Sequence, residues 1–177
     1  MLIGIMSDSH NHHLEVRKAI AKFDQLSVEH IIHCGDVGGQ GVFDELVGRP
    51  LTFVWGNTDH HLDHLRAYLE SVDIPVPTEI PTGIELGGKR FAVFHGHERG
   101  FENAPYTLDV DYILHGHSHV ARDERLNGIR IINPGALHRA RPKTVAILET
   151  STDELTFYEI DGSEGFAARS LPSAGWS

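Results

Sequence analysis

Leu2-Ile3-Gly4-Ile5-Met6-Ser7-Asp8-Ser9-His10 is the stretch on which the fold turns. Residues 2–6 are an apolar run of strand length, the pattern of a strand buried on both faces, and the run opens directly onto a carboxylate and an imidazole. The arrangement recurs. Residues 31–34 lead into Gly35-Asp36, and residues 51–55 lead into Gly56-Asn57. Further on, His95-Gly96-His97 and Gly116-His117-Ser118-His119 again follow apolar runs. One Asp-x-His would mean little. Several strand ends loaded with Asp, Asn and His imply a single site where strand carboxyl ends converge, suited to two metal ions and a phosphate ester.

Helical patterns separate the first strands. Residues 13–23 place Leu14, Ala19, Ile20 and Phe23 at helix spacing. Residues 41–47 form a short helix ended by Gly48 and Pro50. Residues 61–69 carry Leu62, Leu65 and Leu69 on one face, a core stripe. Alternation of strand and helix predicts a parallel sheet.

The second half changes character. Hairpins are predicted over residues 84–94 about Gly87-Gly88, over 120–132 about Asn127-Gly128, and over 144–160 about Ser151-Thr152-Asp153, with a lone strand at 112–115. The expected fold is α/β, with two mixed β-sheets packed face to face and flanked by helices (an αββα sandwich) over residues 1–160. From Asp161 the chain becomes rich in Gly, Ser and Ala, and 161–177 reads as a flexible C-terminal tail.

Composition narrows the function. The chain has 177 residues, enough for one domain with a sizeable core, and a formal net charge of -10. With no basic run and no Lys/Arg stripe, binding to long nucleic acid is not expected, because phosphate-backbone affinity comes from Lys and Arg. Cys34 is the single cysteine, which excludes an internal disulfide and fits a reducing compartment. No apolar run reaches the ~18 residues of a membrane span, and the N-terminus enters a strand without a signal-peptide pattern. A cytoplasmic location follows as the expectation. The 14 histidines are the compositional outlier.

Strand side chains alternate faces, so Asp8/His10, His95/His97 and His117/His119, each two apart, are expected to offer pairs to one space. Carboxylate and imidazole donors suit Mn, Fe, Ni, Co or Zn. A Cys-type structural zinc site is excluded. His33 and His115 sit inside apolar strands and read as core groups, Cys34 as a small buried side chain. His30, His64 and His138 read as surface groups. His12, His13, His60 and His61 flank the site loops.

The ordered set D-x-H, G-D, G-N, H and G-H-x-H resembles the calcineurin-like metallophosphoesterases over roughly residues 1–160. The short chain, the G-N with no following His, and Asn133-Pro134-Gly135 after a late strand are most similar to the small bacterial and archaeal phosphodiesterases. The retromer scaffold subunit shares that branch's fold. The resemblance implies one metal held by Asp8, His10, Asp36 and His119, and a second held by Asp36, Asn57, His95 and His117, with Asp36 bridging. It implies two divalent ions, manganese first and Fe, Ni, Co or Zn as alternatives. A metal-bridging hydroxide would attack phosphorus in line on a small phosphodiester or monoester.

Two departures stand out. Many relatives have His after G-N as a candidate acid, where this chain has Thr58 and then Asp59. His97 is the substitute candidate, with Asp36 beside it as a catalytic residue; His12, His60 and His61 are weaker. Relatives reading G-D-x-x-D carry an Asp where this chain has Gly39, which removes no ligand. The alternatives are a non-catalytic metal-binding scaffold for protein partners, and a nuclease. Homo-oligomerisation is left open.

Overall fold

The computed structural model describes residues 1–59 and 62–160, together with a two-residue strand at 168–169. In chain order the elements are β1 (Leu2–Met6), α1 (His13–Gln25), β2 (His30–His33), α2 (Gln40–Leu46) and β3 (Leu51–Phe53). A 3-10 turn over Leu62–Leu65 leads into α3 (Arg66–Ser71). Then come β4 (Thr82–Leu86), β5 (Lys89–Val93), the single turn α4 (Ala104–Thr107), β6 (Tyr112–Leu114), β7 (Arg122–Leu126), β8 (Ile129–Asn133), β9 (Thr144–Glu149), β10 (Glu154–Glu159) and β11 (Ala168–Arg169).

These strands make two mixed sheets. The first is ordered β11-β10-β9-β1-β2-β3 and the second β4-β5-β6-β8-β7. β1, β2 and β3 are parallel, as are β5, β6 and β8. Their carboxyl ends therefore lie along two facing edges, which is where Asp8, Asp36, Asn57, His95 and His117 follow. The last predicted hairpin does not join the second sheet with its neighbours in sequence. β9 returns to pair antiparallel with β1, Leu2 opposite Glu149 and Ile5 opposite Ala146, and so makes the first sheet mixed.

Side-chain alternation explains the layering. On β9, Val145 and Ile147 join the cluster under α1, α2 and α3, with Val16, Phe23, Phe43 and Leu69. Ala146 and Leu148 point the other way, into the layer between the sheets, with Ile3, Ile5 and Ile32 from the first sheet and Phe91, Val93, Leu114 and Ile132 from the second. A third cluster, with Ile113, Ile131 and Ala104, covers the outer face of the second sheet. Each fully buried Ile, Leu or Phe contributes on the order of 1.5–3 kcal/mol, so the inter-sheet layer fixes the two edges against each other.

The predicted stripe helix is broken: Leu65 closes a 3-10 turn and Leu69 lies in α3, both buried. α4 was not predicted, since four residues containing Pro105 carry no helical period. The expectation of a flexible tail over 161–177 falls outside the described residues except at β11, where Ala168 pairs with Tyr158. No described helix is long and apolar enough to cross a membrane.

Candidate metal centre

Where β1 ends at Met6 the chain stops following a strand path. Asp8 and His10 adopt left-handed φ values of 54° and 42°, Asp36 of 52°, and His117 and His119 of 67° and 58°. The expected i, i+2 alternation is thus not what pairs these side chains. Left-handed steps, uncommon for residues with a Cβ, curl the chain so that both members of a pair turn inward. The curl is secured by backbone bonds between loops: Asp8 N–H to Gly35 O at 3.0 Å, His10 N–H to Asp36 O at 2.9 Å, and Gly116 N–H to His95 O at 2.8 Å. Asp8 Oδ2 accepts from His117 N–H at 3.1 Å, which ties the two sheets' edges together.

The glycines make room. A Cβ on Gly56 would stand 2.1 Å from Asp36 Oδ1, and one on Gly116 would stand 1.9 Å from Ser7 Oγ. Neither position admits a side chain without displacing a group of the centre.

The potential ligand atoms converge. Those of Asp8, His10 and His119, and those of Asp8, Asp36 and His95, each form a set lying within 4.8 Å of one another. His119 Nε2 is 3.1 Å from Asp8 Oδ1, His10 Nε2 is 3.4 Å from Asp36 Oδ2, and His95 Nε2 is 3.5 Å from Asp36 Oδ2. Ligands about 2.0–2.2 Å from one ion are separated by about 3–3.5 Å from one another, so these spacings suit a shared cation. Asp8 Oδ1 is buried and accepts no hydrogen bond, although His119 stands beside it. A buried carboxylate oxygen is costly to leave so.

His95 makes the same point. Its Nδ1 lies 2.8 Å from the carbonyl of Cys34, which can only accept, so we assign the proton to Nδ1. In the neutral ring Nε2 is then a bare lone pair facing Asn57 Oδ1 at 3.0 Å. A ring N–H held by a backbone carbonyl, with the other nitrogen free, is the usual dress of a metal-binding histidine. With no metal on Nε2, burial pulls the His95 pKa down, but Asp36 and the Cys34 carbonyl outweigh it and leave it raised, because a second proton on Nε2 faces the Asp36 carboxylate. Burial pushes the Asp36 carboxyl up, and the bonds from His95 and Thr58 N–H overcome that and hold it well below the ordinary carboxylate range. Burial draws His10 down despite Asp36 and Asp8. The donor set and its unpartnered atoms fit divalent metal.

Asn57 and His117 stand at the exposed rim. The His117 ring lies 5.1 Å from that of His95, and the exposed His97 ring lies 5.3 Å from His95 and 6.2 Å from His117. His33 is buried with Nε2 2.8 Å from Ser9 Oγ, which in turn donates to Val37 O. His115 is buried against Phe101, with ring centroids 4.8 Å apart. His60 and His61 lie outside the described residues.

Several residues that support the centre have no supporting role assigned from the sequence. Asp59 accepts from the N–H groups of Val37, Gly38 and Gly56 at 3.0, 2.9 and 2.8 Å, joining the Asp36 loop to the Asn57 loop. Burial holds its carboxyl above the ordinary range even so. Glu98 accepts from His95 and Gly96 N–H, both at 2.7 Å. Asn133 donates to Gly116 O at 2.8 Å and accepts from Gly135 N–H. Only Asn133 had a sequence signal, in Asn-Pro-Gly. His138, read as a surface group, belongs to the rim: its ring is 5.3 Å from His10 and stacks on His12 at 4.1 Å.

Residues 1–153 match the family model of the calcineurin-like phosphoesterase superfamily domain. A phosphodiesterase of Methanocaldococcus jannaschii is 31% identical over 159 residues, spanning 87% of this chain and 96% of that protein. The solved structure of an archaeal phosphodiesterase superposes with a TM-score of 0.80 at 30% identity, covering 89% of this chain and 98% of its own. Vps29 of Entamoeba histolytica, solved with zinc, superposes with a TM-score of 0.65 over 96% of this chain and 97% of its own. At 20% identity it shares the fold alone. A family match that begins before the first ligand loop and continues past the last one shows that the chain belongs to the calcineurin-like phosphoesterase superfamily.

Proposed function

We propose that this chain hydrolyses small phosphodiesters with two divalent metal ions. The observation that carries the reading is the buried pair Asp8 and Asp36, whose oxygens meet the imidazole nitrogens of His10, His119 and His95 at the convergence of four strand ends. Asp8, His10, Asp36 and His119 would hold one ion; Asp36, Asn57, His95 and His117 would hold the other. Such ions activate water near neutral pH and neutralise charge on phosphoryl oxygens. The diester preference is supported by the phosphodiesterase relative that matches nearly its whole length.

The chain's own groups complete the site. Asp36, held ionised by His95 and Thr58 N–H, would supply a carboxylate to both metal positions. The exposed ring of His97 stands on the His95/His117 side, free to hand a proton to the departing oxygen where Thr58 cannot. His97→Gln should therefore slow esters of alkyl alcohols far more than those of nitrophenol, which needs no proton.

The test is hydrolysis of bis(4-nitrophenyl) phosphate and 4-nitrophenyl phosphate by chelator-stripped protein, with Mn, Fe, Ni, Co or Zn restored singly. Diester turnover that returns with metal supports the reading. Preference for the monoester moves it to a phosphatase. Two ions bound per chain with no turnover of either ester would favour a scaffold role.

A further inference from the structure

Resting on the phosphoesterase reading of the centre, we infer that Arg139 and Arg141 form a subsite beside it for a second anionic group of the substrate, a phosphate or phosphonate beyond the scissile ester. Placement comes first. The His138 ring lies against His10 and stacks on His12 with 20° between ring planes, so the segment after it leaves the centre on the His10 side. The segment is anchored again at Lys143, whose Nζ is 3.3 Å from Glu15 Oε1 in the first turn of α1. Arg139 and Arg141 are exposed between these two anchors.

Charge comes second. The chain carries 25 acidic and 15 basic residues, and its arginines are mostly neutralised. Arg17 pairs with Glu45, Arg49 with Asp24, Arg90 with Asp109, and Arg130 with Asp123. Arg139 and Arg141 have no acidic partner among the described residues, a condition they share with the exposed Arg99 beyond His97. Two guanidinium groups left unpaired in an acidic chain, next to a centre that takes phosphate esters, match the forked geometry of a phosphate. Arg139 is moreover held at a left-handed φ of 51°, unfavourable for a long side chain.

The probe pair is butylphosphonate and butane-1,4-diphosphonate, whose P–C bonds are not hydrolysed, titrated calorimetrically into Mn-loaded protein. The diphosphonate should bind about tenfold more tightly, the factor given by ~1.4 kcal/mol from one further charge-assisted contact. In the Arg139→Gln, Arg141→Gln double variant the ratio should fall below about twofold, and the corresponding double Lys variant should restore part of it. Equal affinities in the parent protein, or a preference that survives the double Gln change, would overturn the subsite. Turnover of bis(4-nitrophenyl) phosphate on the same preparation separates the two ideas. Turnover without the diphosphonate preference refutes the subsite alone, whereas the preference without turnover under any metal refutes the phosphodiesterase reading.

Discussion

Asp59 tests whether the centre is held by backbone acceptors placed outside the ligand set. Its side chain is 3% exposed and takes three N–H groups, two of them from the buried Val37 and Gly56 and one from Gly38. In Asp59→Ala the two buried donors lose their acceptor, at about 1–3 kcal/mol each. Relief of a carboxylate whose burial is unfavourable offsets part of this, which leaves about 3 kcal/mol. In Asp59→Asn the remaining oxygen can take the place of Oδ2, which serves both Val37 and Gly56, so only Gly38 loses its partner, at about 1 kcal/mol. Urea unfolding in chelator measures both. Manganese affinity, measured by calorimetry, should fall about 10–100-fold in the Ala variant, because the loops of Asp36 and Asn57 are no longer tied. A loss under ~0.5 kcal/mol in the Ala variant refutes the reasoning. An Asn variant as damaged as Ala would show that charge, and not acceptor placement, is what matters.

Other outcomes follow from the same geometry. Asp36→Ala and His117→Ala should each lower metal-dependent diester hydrolysis at least about a hundredfold, and His117→Ala, altered at an exposed rim, should leave the urea midpoint nearly unmoved; full activity in either variant would sink the assignment. Free metal at a hundred times its Kd should raise stability by ~2.7 kcal/mol and the Tm by roughly 5–11 °C, read by thermal melts with and without chelator. Burial draws His33 from 6.5 down to about 3, so between those values the unfolded chain binds a proton that the fold does not. Its contribution is complete above pH 6.5 and is lost as pH falls through that window, by up to ~1.4 kcal/mol per pH unit. His33→Gln should flatten the slope of unfolding free energy between pH 4 and 6.5, and an unchanged slope would show that His33 is not its source.

The parallel strands and the ligand residues were legible because both leave local marks. Apolar runs ending in Asp8, Asp36 and Asn57 predict a carboxyl-edge site whatever the partner strands are. The return of β9 to β1 was not legible, since Thr144 to Glu149 reads the same whichever sheet it joins. The inward turn of His10 and His119 was expected from strand alternation and arises instead from left-handed loop backbone, which no period in the sequence announces. His138 looked like a surface group because its approach to His12 is made by chain folding across more than a hundred positions. Asp59 and Glu98 were invisible for a related reason: a carboxylate that receives backbone N–H groups resembles any solvated acid until its neighbours are placed.

The distribution of strain weighs on the choice between enzyme and scaffold. Left-handed φ at a residue with a Cβ costs on the order of 1 kcal/mol, and Asp8, His10, Asp36, His117 and His119 all carry it. Asp8 Oδ1 adds a buried acceptor with no donor. Two buried carboxylates within 4.8 Å of each other add repulsion, about 3–4 kcal/mol at an effective dielectric constant near 20 before neighbouring histidines screen it. Together these approach the whole net stability of an ordinary domain, roughly 5–15 kcal/mol. A protein using the fold only to carry partners could shed them by single changes, Asp8→Asn or His10→Gly among them, without disturbing the inter-sheet core. The costs instead fall together around one point in space, where a divalent cation would cancel the carboxylate repulsion, give Asp8 Oδ1 its partner, and offset the remaining backbone strain through its own binding.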